Sequence, residues 1–260
     1  MTYENLLCET TGPIATVTLN RPKVLNALNT QTFNELEAVF TSLAADVSIR
    51  AILITGAGEK AFAAGTDINE LTTLNAAEGE AKAMRGQQIL NLIETCGKPV
   101  IALINGFALG GGCELALACT LRLAGENARL GQPEVKLGLI PGYGGTQRLP
   151  RLVGPSAALK LILTGAIIDA TEAHRIGLID EIVPTDQLLT RGLELAATIA
   201  TMAPLAITAS LEAVRLGADL SLNNALATEA TLFGQLCGTA DKTEGTTAFL
   251  AKRPPTWMGH

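Results

Sequence analysis

The amino-acid sequence predicts an α/β protein, and two patterns support this fold class. Short apolar runs such as "RAILIT" (residues 50–55) and "PVIALI" (residues 99–104) are typical of strands that are buried on both faces of a sheet. Segments with helical periodicity lie between these runs, and from about Gly154 the chain reads mostly as helices with caps or glycine stops. Strands that alternate with helices indicate a sheet covered by helices.

The first elements follow from the local periodicity. "IATVTLN" (residues 14–20) alternates in the manner of a strand. "TQTFNELEAVFTSLAAD" (residues 30–46) has the spacing of an amphipathic helix, and Thr32 with Glu35 has the form of a capping box near its start. The apolar face of this predicted helix consists of Phe33, Leu36, Phe40 and Leu43.

Two further strands are expected later in the chain. "TLRLAG" (residues 120–125) is a third short apolar strand, and "LIDEIVP" (residues 178–184) is a strand-like insert among the C-terminal helices. The repeated strand and helix turns of the first part suggest a coiled or layered fold.

The bulk composition bounds the class of function. With 260 residues, 48% of them hydrophobic, the chain can bury a substantial core in one large or two modest domains. Its 19 Lys and Arg against 25 Asp and Glu include no basic block, so nucleic acid is not an expected partner. No apolar run reaches membrane-spanning length and no targeting segment is visible, so no membrane partner is expected either. The five cysteines form no CxxC pair, which predicts reduced thiols in a cytoplasmic protein.

Motifs for other chemistries fail on their context. "TGAGEKAFAAG" (residues 55–65) formally matches the dinucleotide-binding glycine pattern, but Gly65 interrupts the helix that the pattern requires. The only histidines are His174, in an apparent surface helix, and the terminal His260; neither has a nucleophile at a motif spacing. The sequence does not cluster metal ligands, and it lacks a P-loop and a nucleophile elbow.

Two glutamates in glycine-rich, apolar surroundings are the remaining candidates for chemistry. Glu114 follows three glycines in "GGGCELALAC", and Glu134 lies in "GQPEV", ahead of a second glycine-rich turn. Placed close together, two carboxyl groups would share protons and could act as an acid and a base. The alternative is a tight turn before a helix, with Glu114 as an N-terminal helix acid and Glu134 as a solvated loop residue. Their separation along the chain does not decide between these interpretations.

The chain resembles the enoyl-CoA hydratase (crotonase) family over essentially its whole length. The motifs that carry the resemblance occur in the family's order: "LNRPKVLNALN", "KAFAAGTDINEL", "GFALGGGCELALAC", "GQPEVKLGLIPGYGGTQRL", "EAHRIGLIDEIVP" and "EGTTAFLAKRPP". The resemblance implies a spiral of stacked ββα turns in residues 1–200, which would hold the active site. It also implies a helical oligomerisation region in residues 201–260, which would form homotrimers or paired trimers (homohexamers).

The resemblance also implies the substrate and the site residues. The substrate would be an acyl-CoA thioester, with coenzyme A as part of the substrate and neither a bound cofactor nor a metal. Glu114 and Glu134 match the two catalytic glutamates that hold the added water, the first activating it and the second exchanging the α-carbon proton. The backbone N–H groups of Thr66 and Gly111 match the oxyanion hole. Further matches line the substrate and CoA site: Lys23, Ala64, Thr66, Asp67, Ile68, Gly142, and Phe249 and Lys252 from a neighbouring subunit.

Three residues depart from the pattern of many family members. Thr66 replaces an alanine, Asn69 replaces a lysine that meets a phosphate, and Tyr143 replaces a small residue. These departures leave the shape of the acyl pocket open. The leading hypothesis is hydration of a short- to medium-chain trans-2-enoyl-CoA to the 3-hydroxyacyl-CoA. The alternatives are double-bond isomerisation or hydration of a specialised acyl-CoA on the same scaffold, and a catalytically silent acyl-CoA binding protein.

Overall fold

The computed structural model describes residues 3–260 and confirms the α/β class. Its strands, in chain order, are β1 (Leu6–Thr11), β2 (Ile14–Leu19), β3 (Ala51–Gly56), β4 (Ala61–Ala63), β5 (Val100–Ile104), β6 (Phe107–Leu109), β7 (Leu121–Gly125), β8 (Arg129–Gly131), β9 (Ile167–Asp169) and β10 (Glu181–Val183). Its α-helices are α1 (Thr30–Ala45), α2 (Ala76–Glu94), α3 (Gly111–Leu117), α4 (Gly145–Val153), α5 (Pro155–Thr164), α6 (Ala170–Arg175), α7 (Leu188–Ala200), α8 (Pro204–Gly217), α9 (Leu222–Cys237) and α10 (Ala240–Leu250).

The strands form two sheets, and the chain passes repeatedly from the larger sheet to the smaller one. The larger sheet has the order β1-β2-β3-β5-β7-β10, with an antiparallel β1-β2 pair and parallel pairing elsewhere. In the smaller sheet, of order β4-β6-β8-β9, β4, β6 and β8 are parallel. Because β3, β5 and β7 are each followed by a strand of the smaller sheet, successive turns stack on one another. This stacking confirms the predicted spiral.

The central strands β3 and β5 of the larger sheet are buried on both faces, as the apolar runs predict. In β3, Ile52 and Ile54 belong to the cluster that includes residues of α1 and α2. Ala51 and Leu53 belong to a second cluster, which includes residues of α7. The period-2 alternation of a strand therefore supplies two cores from one apolar segment.

The predicted helix at residues 30–46 is present, but its predicted capping box is wrong. The N-cap of α1 is Asn29, whose side chain accepts from the backbone N–H of Thr32 at 2.8 Å. The Glu35 carboxylate accepts from the backbone N–H groups of Glu4 and Asn5 instead, each at 2.8 Å. Glu35 therefore fixes the entry to β1 rather than the start of α1.

The C-terminal region is helical, as expected, and it is exposed. Helices α8 and α9 pack against each other and contain no fully buried residue. No single helix among residues 3–260 has the length and apolar character needed to cross a membrane. The segments Thr185–Ala200 and Pro204–Gly217 reach that length and composition only when taken together, and they are bent by 105° relative to each other. His174 lies exposed in α6, and all five cysteines are free thiols, with Cys8 and Cys237 exposed.

Candidate active site

The three glycines before Glu114 allow other segments to approach the start of α3. Gly110 has φ +50°, and a Cβ there would lie 2.8 Å from Oε1 of Glu134. A Cβ on Gly112 would overlap the backbone carbonyl of Ala63 in β4. Larger residues at these positions would separate α3 from Glu134 and from the smaller sheet. The glycine run therefore brings the two sequence-predicted acids into one site.

Glu114 is a buried carboxyl group with specific backbone partners. It lies in the first turn of α3, and 1% of its surface is exposed. Its Oε1 accepts hydrogen bonds from the backbone N–H groups of Tyr143 and Gly145, both at 2.7 Å. The glycine-rich turn of "PGYGG" therefore fixes the position of this acid, which is an N-terminal helix acid, as the alternative interpretation has it, but is buried and held by a second segment.

Glu134 begins a 3-10 turn, Glu134–Leu137, and it is half-buried. With the Gln132 amide oriented to satisfy its neighbours, its nitrogen donates to both carboxyl oxygens of Glu134, at 3.0 and 3.2 Å. Gln132 itself is fully buried. The second acid is therefore oriented by a residue of its own segment, and the solvated-loop interpretation is wrong.

Burial changes the proton affinity of both acids. Burial, with a smaller contribution from the nearby negative charge of Glu134, raises the pKa of Glu114 to about 7, against the opposing effect of the Gly145 and Tyr143 N–H groups. Burial also raises the pKa of Glu134 to about 7. Two interacting groups with pKa values near neutrality can hold one proton and one negative charge between them. This is the protonation state that an acid and base pair requires.

Thr66 and Gly111 lie side by side at this site. A Cβ on Gly111 would be 3.0 Å from Oγ1 of Thr66. The parallel bridge between Leu28 and Thr66 uses the carbonyl of Gly65 and the N–H of Asp67, so it leaves the N–H of Thr66 outside the pairing. Gly111 is the first residue of α3, where N–H groups have no partner within the helix. Both backbone donors are therefore free of the local secondary structure.

The residues matched to coenzyme A fall into two groups. Ala64 donates its N–H to Leu25 at 3.0 Å and Asp67 donates its N–H to Leu28 at 2.8 Å, so the segment 64–67 runs beside the segment that follows Lys23. Asp67 is also held by an ion pair with Arg21 at 3.2 Å. The structure therefore brings together one group, in which Lys23 and Ile68 are exposed and the others are half-buried: Lys23, Ala64, Thr66, Asp67 and Ile68.

The remaining matched residues lie elsewhere. Gly142 is half-buried, directly before Tyr143, and its carbonyl accepts from Gln87 of α2 at 2.9 Å. Phe249 lies in α10 and Lys252 just beyond it, and both are exposed. The structure thus places Gly142 next to Glu114, whereas Phe249 and Lys252 belong to the C-terminal helices.

Two residues of the site were not assigned a role from the sequence. Gln132 is a polar residue directly before a proline, and "GQPE" shows a motif without showing where the amide points. Arg148 donates to the carbonyl of Tyr143 at 3.0 Å and pairs with Glu94 at 2.8 Å, which ties the turn holding Glu114 to α2. Within residues 3–260 no three His, Cys, Asp or Glu side chains come together as a metal site.

The family model described as Enoyl-CoA hydratase/isomerase matches residues 9–260. A curated relative named short-chain-enoyl-CoA hydratase, from Clostridium acetobutylicum, is 46% identical over 253 residues, which cover 97% of each chain. A relative named crotonyl-CoA hydratase, from Syntrophomonas wolfei, is 46% identical over 258 residues, which cover 99% of each chain.

Solved structures show the same fold. The crystal structure of an enoyl-CoA hydratase from Bacillus anthracis superposes with a TM-score of 0.95 and 38% identity, covering 99% of this chain and 100% of the other. A structure from Geobacillus kaustophilus superposes with a TM-score of 0.94 and 37% identity, covering 99% of each chain. The similarity thus extends over both the spiral and the C-terminal helices.

Proposed function

Because this chain belongs to the enoyl-CoA hydratase/isomerase family, we propose that it is an enoyl-CoA hydratase, which adds water to a crotonyl-CoA-like trans-2-enoyl-CoA and yields the 3-hydroxyacyl-CoA. The observation that carries the proposal is the pair Glu114 and Glu134, two desolvated carboxyl groups with pKa values raised to about 7. A hydro-lyase needs to take one proton from water and deliver one to carbon. This pair can do both without a covalent intermediate.

The proposed reaction uses the two acids in opposite protonation states. Ionised Glu114 takes a proton from water as the water oxygen forms its bond to C3 of the enoyl group. The electron pair of the double bond moves towards the thioester carbonyl, and protonated Glu134 gives its proton to C2. The N–H groups of Thr66 and Gly111 stabilise the negative charge that develops on the thioester oxygen, a contribution worth about 10²- to 10³-fold in rate for one such donor.

The substrate's coenzyme A portion would be held at the surface of the site. Lys23 offers a positive charge to its phosphates, and Ala64, Asp67 and Ile68 line its adenine end. We propose that residues 201–260 form the oligomerisation region and that Phe249 and Lys252 reach the site of a neighbouring subunit in a homotrimer or homohexamer. The exposure of both residues in a single chain supports this assignment.

The proposal requires no bound cofactor or metal, since the thioester itself accepts the electron pair and the two acids move the protons. Cytoplasmic location stays a prediction. The free thiols, two of them exposed, support it, because exposed thiols persist in a reducing compartment.

The direct test is turnover of crotonyl-CoA, which is measured as the loss of the conjugated enone absorbance. Glu114→Gln and Glu134→Gln are each expected to lower kcat by about 10²- to 10⁴-fold, because each removes one proton transfer. Glu126→Gln, at an exposed position, is the matched control and should retain full activity. Absence of turnover by the unaltered protein, or full turnover by both catalytic-site variants, would contradict the proposal.

A second assay separates hydration from the related isomerisation. A 3-enoyl-CoA substrate is supplied, and formation of the conjugated 2-enoyl product is measured. Both carboxyl groups are present at the site, which favours hydration as the main reaction: water addition uses one group at the water and the other at C2, whereas a single group can carry a proton from one carbon to another. Faster isomerisation than hydration would instead support the isomerase alternative.

A further inference from the structure

The side chain of Tyr143 fills the space between α2 and α3 at the proposed oxyanion hole. Its ring is 5% exposed. A Cβ on Gly86 of α2 would overlap one edge of the ring, and a Cβ on Gly111 would lie 3.1 Å from Cε2 on the other edge. The ring thus occupies a slot between two helices that is open only because both facing residues are glycines.

Contacts at three points hold the ring in this slot. Phe33 of α1 packs edge-on against it, with ring centroids 4.9 Å apart and an interplanar angle of 69°. The hydroxyl of Thr66 lies on the same side of Gly111 as the ring, since the Cβ position of Gly111 is 3.0 Å from Oγ1 of Thr66 and 3.1 Å from Cε2 of Tyr143. The backbone N–H of Tyr143 donates to Glu114, and the backbone carbonyl of Tyr143 accepts from Arg148. Tyr143 is therefore a fixed surface of the site and cannot swing aside without breaking several contacts.

The position of the ring relative to the reacting atoms follows from its neighbours. A thioester oxygen bound between the N–H groups of Thr66 and Gly111 lies beside residues that the ring contacts. The reacting carbons lie within reach of Glu114, which is bound to the backbone of Tyr143. The slot between α2 and α3 adjoins this position, and the ring fills it, so the site offers no space for further acyl carbons on this side.

We propose that Tyr143 is a specificity-determining residue that ends the acyl site and restricts it to short, unbranched 2-enoyl groups of about four carbons. This inference rests on the proposed function and assigns the limit on acyl-chain length to one residue. Gly86 is its partner, because a side chain there would displace the ring. Thr66 and Tyr143, two departures from the common family pattern, thus lie together beside Gly111.

The test compares kcat/KM for four-carbon and eight-carbon trans-2-enoyl-CoA in three proteins. The unaltered protein should prefer the four-carbon substrate. Tyr143→Ala should shift the eight-carbon to four-carbon ratio towards the longer chain by at least about tenfold, since a single methylene in a shaped pocket is worth about 10- to 200-fold. Tyr143→Phe keeps the ring and should leave the ratio within about threefold.

A control variant separates pocket shape from general loosening of the core. Phe40→Leu changes a fully buried aromatic residue of α1 outside this slot and should reduce stability without changing the chain-length ratio. A folded, active Tyr143→Ala with an unchanged ratio would overturn the inference. So would an equal shift in Phe40→Leu. If Tyr143→Ala does not fold, Tyr143→Leu supplies the same comparison with a smaller loss of volume.

The glycine partner gives an independent measurement. Gly86→Ala should lower crotonyl-CoA turnover and melting temperature in the unaltered background, because the new methyl group meets the ring. In the Tyr143→Ala background the same change should cost little. Equal effects in both backgrounds would mean that the ring does not depend on Gly86, and the proposed slot would be wrong.

Binding of saturated acyl-CoA distinguishes this inference from the proposed function. Calorimetry with butyryl-CoA and octanoyl-CoA requires no turnover, and Tyr143→Ala should raise the relative affinity for octanoyl-CoA by about the same factor as the kinetic shift. If no enoyl-CoA is hydrated but the affinity ratio moves, hydration is wrong and the acyl boundary stands. If hydration occurs and neither ratio moves, the acyl boundary is wrong.

Discussion

The spiral and the C-terminal helices differ in how many of their side chains are buried within a single chain. In the spiral, the central strands β3 and β5 pack on both faces, and even the carboxyl group of Glu114 has backbone partners. In the C-terminal region, α8 and α9 bury no residue fully, and apolar side chains such as Leu250 are more than four-fifths exposed. The difference indicates that the spiral has its core within one chain, whereas the C-terminal helices leave apolar surface exposed.

The largest expected effect lies in the spiral, at Phe40. This side chain is 0% exposed and belongs to the cluster between α1, α2 and the larger sheet. Phe40→Ala should lower the free energy of unfolding by about 3–5 kcal/mol, because it leaves a cavity that neighbouring elements cannot fill. Urea denaturation at fixed protein concentration measures it. Phe40→Leu keeps most of the volume and should lose clearly less; equal losses would show that the core relaxes around the site.

The second effect concerns the pH dependence that Glu114 imposes on the spiral. Its pKa is raised from 4.5 to about 7 in the folded chain, so between these values the folded state binds more protons than the unfolded state. The stability of the folded state therefore decreases as the pH rises from about 4.5 to above 7, by up to about 3 kcal/mol. Glu134 contributes in the same direction.

Glu114→Gln should remove much of this pH dependence. The amide oxygen can still accept from Tyr143 and Gly145, but the side chain cannot ionise. The free energy of unfolding of the variant minus that of the unaltered protein should therefore be larger at pH 8 than at pH 5. Urea denaturation at both pH values measures it. Glu126→Gln serves as the exposed control, with the same slope as the unaltered protein. An unchanged slope in Glu114→Gln would contradict the raised pKa.

The third effect tests whether hydrogen bonds within the chain hold part of the C-terminal region in place. Asp241 is 2% exposed, and its carboxylate accepts from the backbone N–H groups of Met258 at 2.6 Å and Gly259 at 3.1 Å. Asp241→Ala should cost about 1–3 kcal/mol, because the amides lose their acceptor. Faster hydrogen exchange of those two amides would report the local opening.

Two further variants sharpen this measurement. Asp241→Asn keeps an acceptor oxygen and should lose less stability than Asp241→Ala. Asp186→Ala, at an exposed position, should change stability by less than about 0.5 kcal/mol. If Asp241→Ala behaves like Asp186→Ala, the tail is not held by this carboxylate, and the whole C-terminal region depends on contacts outside the chain.

How much the sequence could predict follows the same division. The apolar runs of β3 and β5 identified their strands because a strand buried on both faces needs nothing but apolar residues. Strands β4, β6, β8 and β9 have three residues each, which is too short for any periodicity. The capping box of α1 is mispredicted because both Asn29 and Thr32 can cap a helix, and because Glu35 binds the backbone just before β1, which is distant in sequence.

The candidate site shows the same limit. Glu114 and Glu134 were identified from their unusual surroundings and from a family resemblance, but their separation along the chain gives no distance. Their proximity depends on Gly110, whose missing Cβ leaves room for the second acid. The slot for Tyr143 depends on Gly86, a helical glycine that carries no signal until α2 is placed against the ring. Such pairings are tertiary contacts, and local patterns do not encode them.

The smallest effect on the stability of a single chain, and the most direct comparison of the two regions, is expected at exposed apolar residues. Leu250 in α10 is 82% exposed, and Val47, between α1 and β3, is 88% exposed. Changing either to serine should alter the free energy of folding of one chain by no more than about 0.5 kcal/mol, because little apolar contact is lost.

The two variants should differ in assembly. If residues 201–260 form the oligomer interface, Leu250→Ser places a polar group in an apolar contact, and sedimentation should show dissociation to smaller species at a higher protein concentration than for the unaltered protein. Val47→Ser should leave the assembly unchanged, since the proposed interface lies elsewhere. Dissociation caused by Val47→Ser alone would move the interface to the spiral, and the exposed apolar surface of the C-terminal helices would then need another partner.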